Sequence, residues 1–150
     1  PPDAHPVVSF VEQALAAAGI DPILARHGQQ NWSFYSGSAP IKVWCCCADH
    51  LNFSSPMAQT GPKGLNELFK YLLDATHAPY AFDLSGSTIR LNLTVHIADV
   101  FTPGEHALLA ERVKGFIQKA DQSDNLLIQQ YGCLPAPETQ TEYLKGEHAD

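Results

Sequence analysis

The sequence predicts an α+β fold: one domain in the order helix, three strands, helix, two strands, helix, with the helices packed on an antiparallel sheet. Three observations predict it. Apolar residues recur at three- and four-residue spacing in separated segments, the period of helices with one buried side. Between those segments lie short runs in which apolar and polar residues alternate, the period of strands with one covered face. The links between consecutive strand runs are short, which favours antiparallel pairing. A chain of 150 residues that is 45% hydrophobic can fill a single core.

The first helix is expected over Pro6 to Ala18, where Val7, Val8, Val11, Leu15 and Ala18 form one stripe. Gly19 suits the position just past its end, and Pro22 prevents continuation. Three strands follow: Asn31 to Ser36, Ile41 to Cys47, and Leu51 to Ser55, the last ended by Pro56. In the second, Ile41, Val43, Cys45 and Cys47 share one face, against Lys42, Trp44 and Cys46 on the other. A helix over Leu65 to Thr76 carries Leu65, Leu68, Phe69, Leu72 and Leu73 on a wide apolar side. Tyr80 to Leu84 and Thr88 to Ile97 alternate as a hairpin around Ser85-Gly86-Ser87. Thr102-Pro103-Gly104-Glu105 reads as a capping box opening the last helix, which the polar stretch Asp121 to Asn125 bends or interrupts. The domain spans residues 1–132, and residues 133–150, with Pro135 and Pro137, read as a flexible C-terminal tail.

Charge and composition exclude several functions. A formal net charge of -7 disfavours nucleic acid and anionic membrane surfaces, because phosphate binding needs clustered Lys and Arg. No run of about 18 apolar residues predicts a transmembrane helix. The opening Pro-Pro-Asp-Ala-His-Pro lacks the charged and apolar regions of a signal peptide. The 4 cysteines, Cys45, Cys46, Cys47 and Cys133, are no spaced disulfide framework and fit a reducing cytoplasm. Asn31-Trp32-Ser33, Asn52-Phe53-Ser54 and Asn92-Leu93-Thr94 are N-x-S/T sequons. Strands rich in Asn, Ser and Thr produce such triplets by chance; a secreted glycoprotein domain is the reading under which they would be used.

No enzymatic site is expected. The sequence holds no G-x-S-x-G elbow and no phosphate-binding G-x-x-x-x-G-K-[ST] loop. Gly61-Pro62-Lys63-Gly64 has a proline without an N–H and reads as a turn. Asp83, Asp99, Glu105 and Glu111 form no carboxylate pair at interpretable spacing. The 7 histidines are scattered without an H-x-x-x-H pair, although His96 and His106 could meet in space. Cys45 and Cys47 on one face, with His50 near, suggest thiolate metal binding. Zinc wants about four ligands, and no second cysteine pair stands elsewhere, so small strand residues are the plainer reading and no metal or cofactor is expected.

Aromatic side chains are more informative. Trp32, Phe34, Tyr35, Trp44 and Phe53 gather in the first three strands, and Trp44 opposes the Ile41/Val43 face. Trp32, Phe34, Trp44 and Phe53 are therefore the candidate partner-binding residues, since exposed aromatics mark interfaces; the plainer alternative is a second core layer under the first helix. Leu65, Leu68, Phe69 and Leu72 are the second candidate interface, their side being wider than one sheet contact needs.

The helix Leu65-x-x-Leu68-Phe69-x-x-Leu72-Leu73, the hairpin Phe82-x-Leu84-x-Gly86-x-x-Ile89-x-Leu91, Asp99 and the last amphipathic helix resemble the YbjN family and the related class I type III secretion chaperones. The resemblance implies a compact homodimer without enzymatic activity, its middle helix near the dimer contact. It further implies a small acidic protein that holds an extended stretch of a client polypeptide against apolar grooves. The expected function is thus that of a cytoplasmic chaperone-like or adaptor protein. Its mechanism is burial of apolar surface, at about 25 cal/mol per Å², or strand addition at a sheet edge. The alternative is a metal- or redox-responsive regulator using Cys45, Cys46 and Cys47.

Overall fold

The computed structural model describes residues 6–37, 39–47 and 49–137, and of Cys46 and Cys47 the backbone alone. Helix α1 (Pro6–Ala17) and a short helix α2 (Pro22–Ala25) precede three strands, β1 (Asn31–Ser36), β2 (Ala39–Cys47) and β3 (His50–Gln59). Helix α3 (Leu65–Leu72), a 3-10 turn at Ala75–His77, and the hairpin β4 (Ala81–Ser85) and β5 (Thr88–His96) follow. Helix α4 (Ile97–Val100), the long helix α5 (Ala107–Tyr131) and a two-residue strand β6 (Leu134–Pro135) are the last elements among the described residues. This is the expected α+β order, with two short helices and a terminal strand added.

The sheet is antiparallel in the order β1-β2-β3-β5-β4, and β6 pairs with β3. Strand alternation sends Trp32, Phe34, Ile41, Val43, Leu51, Phe53, Ile89, Leu91 and Leu93 into the core. Helix α5 crosses β2 and β3 and packs on α1. Phe116 meets Phe53 with ring centroids 5.4 Å apart. Phe10 of α1 meets Phe101 edge-on at 4.8 Å, closing the core beside α4.

Five expectations are corrected. Strand β3 does not end at Pro56 but runs to Gln59. Pro56 lies beyond the last β2 pair, Lys42↔Ser54, and a bulge between Pro56 and Ala58 absorbs the irregularity. The middle helix stops at Leu72, because the Asp74 carboxylate accepts a hydrogen bond from the Thr76 N–H (2.9 Å) and opens a 3-10 turn instead. Thr102 to Glu105 is a turn rather than a capping box. Gly104 has φ 78°, outside helical space, and the Glu105 carboxylate accepts from the Ala107 N–H at the true start of α5. That helix runs 25 residues through Asp121 to Asn125 without interruption, with Ala120, Ser123 and Leu127 buried along it. Finally, Cys133 is buried and Leu134–Pro135 pairs with Ala58 and Gln59, so the folded unit extends past residue 132. The expected tail from residue 138 onward lies outside the described residues.

Candidate partner-binding surfaces

The two ends of the sheet differ in how they are covered. At the β4 end, α3 turns Leu68 and Leu72 into the core of its own chain. The expected four-residue dimer contact is corrected accordingly: of Leu65, Leu68, Phe69 and Leu72, only Leu65 (39% exposed) and Phe69 (37%) reach the surface. One turn further, Leu73 is 83% exposed, so Leu65, Phe69 and Leu73 make an open stripe at four-residue intervals. Leu84 of the edge strand β4 is exposed as well.

An aromatic cluster fixes α3 in place. Tyr71 packs on His77 (4.5 Å), Phe82 (6.0 Å) and Tyr131 (4.9 Å), joining α3, β4 and the end of α5. The His77 ring is held from both sides: Nε2–H donates to the Tyr71 carbonyl at 2.7 Å, and Nδ1 accepts from the Lys119 ammonium at 3.2 Å. Burial, with Tyr131 and Asp74 beside it, pushes the Tyr71 hydroxyl pKa up.

At the opposite end, β1 is the edge strand. Glu12 of α1 anchors it. Its Oε2 accepts from the buried Trp32 indole N–H at 2.9 Å and from Arg26 Nε at 2.8 Å. Arg26 in turn bridges to Trp32 across the start of β1, and the His27 N–H donates to the Asn31 carbonyl. Asp21 caps α2 by accepting from the Ile23 and Leu24 N–H groups. That cap holds out Ile23 (70% exposed) and Leu24 (63%) beside the strand edge. Nothing in the residue pattern of 20–30 separated this apolar pair from core residues; the Asp21-Pro22 start signal was the one trace of the short helix.

The expected aromatic patch is corrected too. Trp32, Phe34 and Phe53 are buried in the core, because they pair with or lie beside the inward residues Val43, Ile41 and Leu93. Of the four candidates, Trp44 alone stands on the uncovered face of the sheet, half-buried. It lies in a row Asn31–Trp44–Asn52–Thr94 across four strands, in which Thr94 Oγ1 donates to Asn52 Oδ1 at 3.0 Å. Asn31, Lys42, Trp44, Ser54, Pro56 and Arg90 line a shallow depression of about 490 Å³ there. Asp83 and Arg90 form a two-bond pair on the same face (2.8 and 2.7 Å), and that guanidinium holds the Asp83 carboxyl below its usual range. Asn31, Asn52 and Asn92 all occupy this polar face, and each sequon is the two-residue repeat of one outward row.

The cysteine and histidine expectations also change. A bulge between Cys45 and Cys47 shifts register, so the two do not continue one alternation. Cys45 packs against the core, while Cys47 falls opposite His50. His96 stands against His50, ring centroids 4.5 Å apart. Among the described residues, no three His, Cys, Asp or Glu side chains form a group that could hold a metal, and no helix is long and apolar enough to cross a membrane.

No family model matches the sequence, and no curated protein matches it significantly. Solved structures do share its fold. The ExsC–ExsE complex is similar with a TM-score of 0.62 and 11% identity, covering 81% of this chain and 92% of that one. The HopA1–SchA chaperone–effector complex is similar with a TM-score of 0.62 and 9% identity, covering 83% and 99%. The Yersinia pestis type III secretion chaperone SycH, bound to a fragment of YscM2, is similar with a TM-score of 0.55 and 13% identity, covering 77% and 97%. The chain therefore has a type III secretion chaperone-like fold.

Proposed function

We propose that the chain is a non-enzymatic, homodimeric chaperone-like protein that holds an extended stretch of a partner polypeptide. One observation carries the reading: large apolar side chains are exposed at both ends of the sheet, beside its edge strands β1 and β4. The chains of similar fold are found with effector or other polypeptide partners, which supports the same use here. In this reading the Leu65, Phe69, Leu73 and Leu84 surface meets a second copy of the chain. The partner segment lies along β1, pairing beyond the Arg26–Trp32 bridge that occupies the start of its outer edge, and covers Ile23 and Leu24. Trp44 offers a further contact on the polar face. Burial of these residues supplies the driving force, and no bond is made or broken. The cytoplasm is the compartment this reading assigns, consistent with the unpaired thiol of Cys133.

Two variants separate the two surfaces. Phe69→Asp is expected to convert a dimer to monomers in sedimentation equilibrium without unfolding it. Ile23→Asp combined with Leu24→Asp is expected to leave the dimer intact and abolish retention of the natural partner on the immobilised protein. A wild-type particle with the mass of one chain contradicts the dimer. Partner retention unchanged by the Ile23/Leu24 variant contradicts the edge site.

A further inference from the structure

The uncovered face of the sheet carries a spot of positive charge in a chain whose formal net charge is -7. The register sets it. Lys42, Ser54 and Asn92 form one outward row across β2, β3 and β5, and Pro56, Arg90 and Asp83 form the next across β3, β5 and β4. Lys42 and Arg90 thus line one shallow depression of about 490 Å³ together with Trp44, and among the described residues no carboxylate belongs to its lining. Asp83 lies beyond it on the edge strand and is already engaged, accepting from Arg90 Nε and Nη2. Neither the Lys42 ammonium nor the Trp44 indole N–H has a partner among the described residues.

Lys42, Trp44 and Arg90 present donors only, so they suit a ligand rich in negatively charged oxygen. Two strand separations and a two-residue offset place the Lys42 and Arg90 Cα atoms ~12 Å apart. A small carboxylate reaches one of these cations at a time. Residues i and i+4 of an extended chain point the same way and lie ~13 Å apart, so a polypeptide crossing the face obliquely reaches both. A second copy of this chain meeting the face about a two-fold axis would bring the same cations to it, which disfavours self-association there.

We propose that this depression receives an acidic, extended segment of a partner polypeptide. One carboxylate meets Lys42, a second, four residues along, meets Arg90, and the segment packs against the Trp44 indole. The inference gives a chemistry to the Trp44 contact and rests on the reading of the chain as a polypeptide binder. The site is separate from the β1 edge and from the Leu65/Phe69/Leu73 stripe, so each is tested on its own.

The test is a titration of the full chain with the capped synthetic peptide Glu-Thr-Thr-Thr-Glu, followed by the indole N–H resonances in ¹H–¹⁵N spectra. Gln-Thr-Thr-Thr-Gln is its uncharged counterpart. The Trp44 resonance is expected to move while that of buried Trp32 stays, and the acidic peptide should bind at least about threefold more tightly than the Gln peptide. Salt at about 1 M, with a screening length of ~3 Å, should erase that difference. Lys42→Glu should weaken the acidic peptide at least about threefold and leave the Gln peptide unchanged. Equal affinities for the two peptides in wild-type protein overturn the proposal without any variant, as does acidic-peptide binding that Lys42→Glu leaves intact. A Trp44 resonance that moves with protein concentration alone assigns the face to a second copy and also overturns it. The Ile23→Asp/Leu24→Asp variant, which tests the β1 edge, should bind the acidic peptide as wild type does; loss of binding there would place the peptide at that edge and overturn the assignment.

Discussion

Glu12→Ala is the substitution whose effect follows most closely from the structure. Glu12 is the acceptor for the indole N–H of Trp32, whose side chain is fully buried. Removing the carboxylate leaves that donor in the core with no partner, which costs ~1–3 kcal/mol. The Arg26 pair is lost as well. With the Arg26 side chain 42% exposed, that part contributes only ~0.2–1 kcal/mol. A total of about 1–4 kcal/mol lowers Tm by about 2–16 °C in a chain of this size. Urea unfolding followed by tryptophan emission measures it, because Trp32 moves from core to water. A double-mutant cycle then isolates the cause. In a Trp32→Phe background there is no indole N–H to strand, so Glu12→Ala should cost about 1–2 kcal/mol less than in wild type. A loss below ~0.5 kcal/mol, or equal losses in both backgrounds, would refute the claim that Glu12 satisfies a buried donor. The same node holds α2 against β1, so the variant should also weaken partner retention.

Gly61→Ala should destabilise the fold by ~1–3 kcal/mol in the same unfolding assay, because an added Cβ collides with the Gly132 carbonyl oxygen where the β3–α3 link passes the end of α5. Cys133 should resist iodoacetamide in the native state and react on unfolding: burial pushes its thiol pKa up, and only the thiolate is alkylated, as peptide mapping of labelled protein can show. Asp83, held low chiefly by its hydrogen bonds from Arg90, should contribute stability above the ordinary carboxylate range and lose it as pH falls through its lowered folded-state value. The pair is half-exposed, so Arg90→Ala should cost only ~0.2–1 kcal/mol near neutral pH and nothing in strong acid, and should raise the Asp83 carboxyl titration seen by NMR.

What the sequence disclosed follows from which structural features have a local period. The stripe Val8, Val11 and Leu15 of α1 and the alternation Ile89, Leu91, Leu93 and Val95 of β5 were readable because one buried face imposes 3.6- and 2-residue repeats. Trp44 was placed correctly for the same reason, by its opposition to Val43. Trp32, Phe34 and Phe53 were not separated from it, since an aromatic strand residue looks alike whether it fills a core or a surface. In α3, Leu65 and Phe69 share a wide apolar arc with Leu68 and Leu72; only tertiary packing divides that arc into buried and open halves. Bulges have no such signature. The register shift after Cys45 therefore broke the expected Cys45/Cys47 pairing and set Cys47 opposite His50. Gly104 misled in another way. Its φ of 78° serves a turn, whereas the surrounding residues carry every chemical cue of a helix start.

Hydrogen exchange on the purified complex with its natural partner tests the central claim most directly. Amides of β1, the edge strand, should exchange far more slowly in the complex than in the free protein, and a contiguous extended segment of the partner should gain protection with them. Unchanged exchange across Asn31–Ser36 in a saturated complex would contradict strand addition at that edge.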